Sequence, residues 1–258
     1  MGSHTHAAMD RQLPPDADDE AADDDYQRPE RPFNAVPPVA IMLTLLIIGI
    51  EVALQLANYG IIGGPRGVGW RIAAIEEFGF SPAVLDRVWV TGEYSFDLLK
   101  RFVTYPFINV QLIQVAFCAG LTLALGKFTA EAFGQLNLLV VYAVTAIAGA
   151  VAYGFLVEGR YPLLGGFTPV YGLIGAYTYL LWLQLGQAGE NRVMAFRLIG
   201  FLLMLQLIWG MIGWFSSDTP PPPSWISELT GFMTGFLLTT ILAPGGWGRF
   251  LARMRQRA

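Results

Sequence analysis

Six stretches of the chain are apolar over about the length that a helix needs to cross a membrane. They lie near residues 38–58, 107–126, 136–157, 163–185, 194–215 and 225–243. About 20 helical residues, each rising roughly 1.5 Å, span the hydrocarbon core of a bilayer, which is about 30 Å thick. The pattern therefore predicts an all-α integral membrane protein that forms a bundle of six transmembrane helices.

The connection between the first two apolar stretches, about 59–104, is much longer than the others and mixes aromatic with charged residues. A plain loop of this length is uncommon in a compact domain. Ser81 followed by Pro82 is typical of an N-cap and the first position of a helix. We therefore expect a short amphipathic helix to begin there and to lie at the membrane surface.

The two ends of the chain are polar and are predicted to lie outside the membrane domain, which we place at 38–248. Residues 1–37 combine a run of acids with several prolines, and they lack the apolar content that would offset the entropy of ordering. They predict a disordered acidic tail, for which docking to a basic partner is an alternative role. Residues 249–258 form a basic tail.

Basic residues predict the sidedness of the bundle. The basic tail and the connections on the same side contain more lysine and arginine than the short opposite loops, where Arg160 stands alone. Because such residues accumulate on the cytoplasmic side, both termini are predicted to be cytoplasmic. We expect the protein to lie in the inner membrane of a bacterium. The residues behind this prediction are Lys127, Arg192, Arg197, Arg249, Arg253, Arg255 and Arg257.

Composition agrees with the membrane assignment and excludes several kinds of site. The chain is 54% hydrophobic and 14% charged, whereas soluble domains contain about 25% charged residues. Its net charge of −4 arises from the acidic tail, and no concentrated basic face for nucleic acid is present. One cysteine, Cys118, supports neither a disulfide within the chain nor a cysteine metal site, and the histidines are His4 and His6. We expect no metal and no cofactor.

Glycines recur at helical spacing in two of the apolar stretches. The fourth contains Gly172 and Gly175 after a Gly165–Gly166 pair, and the sixth contains Gly231 and Gly235 as a GxxxG motif. Small residues at this spacing mark the faces where membrane helices touch. Helix packing alone accounts for each motif taken by itself.

Taken together and in this order, these features resemble the rhomboid family of intramembrane serine proteases. The resemblance covers about 59–243 and also rests on Trp70, Arg71, Gly126, Glu131 and Tyr142. In active rhomboids the fourth span reads Gly-x-Ser-Gly with a Gly-Leu-x-Gly-Ala continuation, and the sixth reads Ala-His-x-x-Gly-x-x-x-Gly. The resemblance implies a six-helix bundle with a partly helical first external loop.

The family's functional positions carry different residues in this chain. The glycine motif of the fourth span places Phe167 at the nucleophilic serine and Thr168 at the glycine after it. The motif of the sixth span places Glu228 at the general-base histidine. The two positions that stabilise the oxyanion hold Gln114 and Cys118. The resemblance therefore implies a catalytically degenerate member with no catalytic residues.

The same conclusion follows from the chemistry without an alignment. A serine nucleophile must lose its proton to a base within hydrogen-bond reach, yet no span contains histidine and the fourth contains no serine. Thr168 and Glu228 could form a substitute pair, but Pro169 follows the threonine immediately. An amide such as Gln114 could still donate a hydrogen bond to an oxyanion. Without a nucleophile, however, such a donor gives no covalent catalysis.

Acids inside membrane spans require an explanation because burying a charge in lipid is costly. Glu228 is close enough to Trp225 to reach the outer interface. Glu51 is deeper, and we expect a polar partner such as Gln55, one turn on, or a residue of a neighbouring helix. A role in binding a client or an ion is the alternative for Glu51, and in that case Trp70 and Arg71 would contribute to the binding site.

The leading hypothesis is a rhomboid-like pseudoprotease that binds transmembrane helices of client proteins and affects their stability or assembly without cleaving them. A rhomboid peptidase that works with non-standard residues is the alternative. A channel or small-solute transporter would show internal symmetry, and the sequence shows none. The expected partners are the lipid bilayer and client helices, and the oligomeric state stays open. If the hypothesis holds, Phe167 and Glu228 face each other near Gln114.

Overall fold

Helices form nearly all of the architecture in the computed structural model, which describes residues 36–159, 161–216 and 223–242. Backbone pairing between extended residues within these ranges is limited to a single bridge that joins Phe80 and Leu163. The α-helices in chain order are α1 (Pro38–Asn58), α2 (Trp70–Phe78), α3 (Pro82–Trp89), α4 (Phe96–Leu99), α5 (Arg101–Thr104), α6 (Leu112–Phe133), α7 (Gln135–Leu156), α8 (Phe167–Gln187), α9 (Arg197–Ser216) and α10 (Trp225–Leu242).

Four of the described helices, α1, α6, α7 and α10, are long and apolar enough to cross a membrane. The prediction of an all-α membrane protein is therefore confirmed. Helices α8 and α9 have 21 and 20 residues and match the two remaining apolar stretches, but their crossing of the membrane stays a prediction. Polar residues such as Thr168 and Thr178 lower the hydropathy of α8, and both are buried inside the protein.

The predicted start of the second span, residue 107, lies five residues before the observed start of the helix at Leu112. Residues Tyr105–Phe107 form a 3₁₀ turn, Gln111 is extended, and α6 begins at Leu112. The guanidinium of Arg71 holds the backbone carbonyl of Asn109 at 2.7 Å, so that carbonyl is engaged outside any helix. At its other end α6 continues to Phe133.

The connection 59–104 contains α2 to α5, as its length suggested. Helix α3 begins at Pro82 with an extended Ser81 before it, as predicted, but the Ser81 side chain makes no capping hydrogen bond to any described residue. Proline at the first helical position therefore defines this start. The apolar face of α3, with Val84, Leu85 and Val88, packs against α7. Its position at the membrane surface stays a prediction.

Helix α8 is the central element, and it packs against α10, α7 and α6. Its residues Val170, Leu173 and Ile174 are completely buried and share a core with Leu138 and Val141 of α7. Because several helices surround α8, its amino-terminal turn is fixed within the protein. The acidic tail up to residue 35, Arg160 and the basic tail 249–258 lie outside the described residues.

Candidate functional site

Helices α8 and α10 touch each other backbone to backbone. Gly175 of α8 and Gly231 and Gly235 of α10 lie along this contact, and Gly172 of α8 contributes its backbone to it while its own side-chain position faces Thr145 of α7. A methyl group on Gly235 would collide with the carbonyl oxygen of Gly172, and one on Gly231 would collide with the carbonyl oxygen of Thr168. Side chains larger than hydrogen cannot fit there, which is the usual role of small residues between membrane helices. The close approach brings the first turns of α8 and α10 side by side.

Two hydroxyl groups meet where these first turns touch. Thr168 Oγ1 donates to Ser227 Oγ at 3.1 Å, and both residues are buried. Ser227 Oγ in turn donates to the carbonyl oxygen of Ser224 at 2.7 Å. Sequence reasoning identified Thr168 and missed Ser227, although this serine directly precedes Glu228. The contact places a hydroxyl pair next to an acidic residue.

Glu228 is inside the protein, with 6% of its surface exposed. The interpretation that it reaches the outer interface is therefore wrong for this structure. Its carboxylate is close enough to Cys118 of α6 and Tyr171 of α8 to interact with both electrostatically. Glu228 also lies in the first turn of α10, where the helix dipole favours a negative charge.

The segment before α8 runs across the two positions of α6 that the resemblance identified. Gly165 has a φ of +89°, and a methyl group there would collide with the side-chain amide of Gln114. A methyl group on Gly166 would lie 3.5 Å from Cys118 Sγ. Gln114 and Cys118 therefore flank the two glycines directly before Phe167. Glycine is required at 165 both by the left-handed backbone and by the lack of space.

Phe167 is half-buried and packs against the core of the bundle. It is the first residue of α8, while Glu228 is in the first turn of the adjacent α10. The five positions predicted from the family pattern therefore lie at one end of the bundle, where the first turns of α8 and α10 meet α6: Gln114, Cys118, Phe167, Thr168 and Glu228. That the side chains of Phe167 and Glu228 face each other stays a prediction. The assembled groups are an aromatic ring, a hydroxyl, a thiol, an amide and a carboxylate.

Two polar residues between the long connection and α6 also belong to this cluster, and sequence reasoning missed both. Tyr105 is fully buried and its hydroxyl donates to the carbonyl oxygen of Ala146 at 3.0 Å. Burial is the main cause that raises the pKa of Tyr105 above its usual value, and the charge of Glu228 raises it further. Asn109 is completely buried, and neither atom of its amide has a hydrogen-bond partner among the described residues.

Glu51, the deeper of the two acids, is held in an ion pair. Arg71 Nη2 lies 2.6 Å from Glu51 Oε1, and the exposed fractions of the two side chains are 19% and 2%. Gln55 Nε2 donates to the same oxygen at 2.8 Å, so the partner expected one turn on is present. The second partner comes from α2 in the long connection. Through the bond from Arg71 to Asn109, the pair ties α1, α2 and the start of α6 together.

The residues suggested for a binding role thus differ in their surroundings. Glu51 and Arg71 bond to each other, whereas Trp70 is 44% exposed and its ring lies over Gly63. The ion pair explains why a charged group is present in the deep part of α1. It also gives Arg71 a structural role, because the guanidinium joins α2 to α1 through Glu51.

Comparison with family models matches residues 97–245, more than half of the chain, to the Rhomboid domain. The matched segment runs from α4 to the end of α10 and includes all five positions of the cluster around Phe167. Trp70 and Arg71 precede it, so their part of the resemblance, expected over 59–243, lies outside the match. The resemblance itself is confirmed.

Proposed function

This chain belongs to the rhomboid family, and on that premise we propose that it is a pseudoprotease that binds transmembrane helices of client proteins without cleaving them. Binding would affect the stability or assembly of the clients. The observation that carries this proposal is the pair of residues at the first turns of α8 and α10. The resemblance assigns Phe167 to the position of the nucleophile and Glu228 to the position of the base.

The chemistry of these two residues supports binding over hydrolysis. A phenyl ring cannot form an acyl intermediate, and the imidazole that would accept a proton is replaced by a carboxylate. The histidines of the chain are His4 and His6, both in the acidic tail. Gln114 can still donate hydrogen bonds beside Gly165, and such a donor can hold a client carbonyl without any covalent step.

We further propose six spans with both termini on the cytoplasmic side of a bacterial inner membrane. In that arrangement the first turns of α6, α8 and α10 all lie toward the outer surface, which brings the cluster around Phe167 within reach of client helices near their outer ends. The excess of lysine and arginine in the predicted cytoplasmic segments supports this sidedness.

Client binding can be tested by site-specific photocrosslinking in native membranes. A photoreactive amino acid at Phe167 should capture intact membrane proteins, and the same amino acid at Ile147, which is 40% exposed on α7, serves as the control. Deletion of the gene should change the abundance of the captured proteins, and the Glu228→Gln variant should restore it. Capture at Phe167 that does not exceed capture at Ile147 would refute the proposal.

The alternative function is an unconventional intramembrane peptidase, and the hydroxyl pair beside Glu228 is the observation that favours it. Thr168 or Ser227 would be the nucleophile, since the two oxygens lie 3.1 Å apart in a buried site. Purified protein should then cleave single-span model substrates, and Thr168→Ala, Ser227→Ala or Glu228→Gln should abolish cleavage. Thr230→Ala is the matched control, because the hydroxyl of Thr230 donates to the carbonyl oxygen of Ile226 within its own helix. Cleavage that follows this pattern would overturn the pseudoprotease proposal.

A further inference from the structure

A half-open cavity of about 490 Å³ lies between α1 and the long connection that follows it. One wall is a face of α1 that includes Ala53, the opposite wall is the face of α2 with Ala74 and Phe78, and the floor is the segment 104–108. The five-position cluster around Phe167 shares none of these lining residues. Neither the family resemblance nor the proposed client binding assigns a role to this cavity.

Apolar atoms form the whole surface that the described residues present to this cavity. Thr104 carries the one hydroxyl group among the lining residues, and that group donates to the carbonyl oxygens of Phe78 and Lys100 at 3.1 and 3.0 Å. Water therefore finds none of the two to four polar partners that hold it in a protein interior. An apolar cavity of roughly 150 Å³ already stays dry and takes up small hydrocarbons. The chemistry of the site thus selects a hydrocarbon.

Several bonds fix the walls of the cavity and exclude a client helix as its occupant. The ion pair between Glu51 and Arg71 joins α1 to α2 beside the cavity, and the bond of Thr104 to Phe78 joins α2 to the floor. A helix with its side chains is about 10–12 Å across, so it would have to displace α2 and break these bonds. A single extended chain requires no such movement.

The lipid-facing surface of α1 continues into this cavity. Leu46 lines the cavity and is 44% exposed, and Leu45, Ile48 and Val52 on the same helix are exposed as well. Helix α1 is long and apolar enough to cross the membrane. We propose that an acyl chain of a bilayer phospholipid enters from this surface and occupies the cavity between α1 and α2.

The test uses the full-length protein in lipid nanodiscs that contain a trace of phosphatidylcholine with a photoreactive diazirine in one acyl chain. After illumination, mass spectrometry of the peptides should place labels on the cavity walls at several times the level found at Ile113 and Phe117. Those two residues are lipid-exposed on α6 and lie outside the cavity. Labelling of the walls at or below the level of α6 would overturn the proposal.

Two variants fill the cavity from opposite walls, Ala74→Phe from α2 and Ala53→Phe from α1. The acyl chain enters from the bilayer, whose lipid tails are as apolar as the cavity walls, so each variant acts by removing space. A phenyl ring that occupies the cavity should reduce labelling of the walls to about the level found at Ile113 and Phe117. Ala116→Phe on the exposed face of α6 is the matched control and should leave labelling unchanged. Thermal melting identifies variants that fold, and unchanged labelling in either folded cavity variant would contradict the proposal.

A competition arm separates the phospholipid from a free fatty acid. Unlabelled phosphatidylcholine should reduce labelling of the cavity walls in proportion to its share of the lipid. The same acyl chain added as free acid should compete no better than its share of total chains. Selective displacement by the free acid, or labelling that requires a diazirine fatty acid, would overturn the assignment to a phospholipid.

Discussion

Replacing Arg71 by methionine removes the cation that holds Glu51 and leaves a side chain of similar length. Glu51 is 2% exposed within α1 and would keep the hydrogen bond from Gln55 but lose both bonds from the guanidinium. Breaking a buried ion pair by removing one partner costs about 3–5 kcal/mol, because the remaining charge stays desolvated. We expect Arg71→Met to lower the free energy of unfolding by about that amount.

The other two proteins of the double-mutant cycle, Glu51→Leu and the double variant, should lose less free energy of unfolding than Arg71→Met. In Glu51→Leu the unpaired Arg71 is already 19% exposed and can turn toward water, so its loss should be about 1–3 kcal/mol. The double variant Glu51→Leu with Arg71→Met leaves no buried charge, and such replacements are often nearly neutral. The coupling free energy between the two positions should therefore be at least about 2 kcal/mol.

The measurement is reversible unfolding of all four proteins in bicelles, with free energies from steric trapping or denaturant titration. The pair Arg87 and Glu93 is the matched control, because its charged atoms lie 3.0 Å apart while the side chains are 59% and 44% exposed. Exposed pairs of this kind contribute about 0.2–1 kcal/mol. A coupling free energy for Glu51 and Arg71 no larger than that of the control pair would refute the reasoning from burial.

Two further predictions concern the helix contact and the buried tyrosine. Gly235→Ala places a methyl group against the carbonyl oxygen of Gly172 and should destabilise by about 1–3 kcal/mol. The measurement is thermal melting of both variants. Gly120→Ala, where a methyl group meets no described atom within 4 Å, should be neutral or stabilising, and equal losses of stability in the two variants would contradict the contact. Tyr105→Phe removes the bond to the carbonyl oxygen of Ala146 and should cost about 0.5–1.5 kcal/mol in denaturant unfolding at neutral pH. Because burial raises the pKa of Tyr105 above its ordinary value of 10.0, this contribution is complete below about pH 10 and is lost as the pH rises further. A difference in the free energy of unfolding between wild type and variant that stays constant up to about pH 11 would contradict this pH dependence.

Sequence patterns located most of the helices of the bundle because hydropathy is a local property. The third apolar stretch, predicted at 136–157, is helical at Gln135–Leu156, and the sixth, predicted at 225–243, is helical at Trp225–Leu242. The prediction failed at residue 107, where apolar residues continue but the helix does not. Close to that point the side chain of Arg71, from a distant segment, bonds to the backbone carbonyl of Asn109. The spacing of apolar residues along the chain carries no information about such a contact.

By itself the sequence determined that this is a helical membrane protein, that its fourth and sixth apolar stretches carry contact glycines, and that no histidine lies in a span. Those properties depend on residue types and on spacings within one helix. The tertiary structure decided which polar groups meet. Arg71 reaches Glu51 across 20 positions and Thr168 reaches Ser227 across 59. Such contacts depend on how the helices pack, because desolvated polar groups must find partners wherever the fold places them.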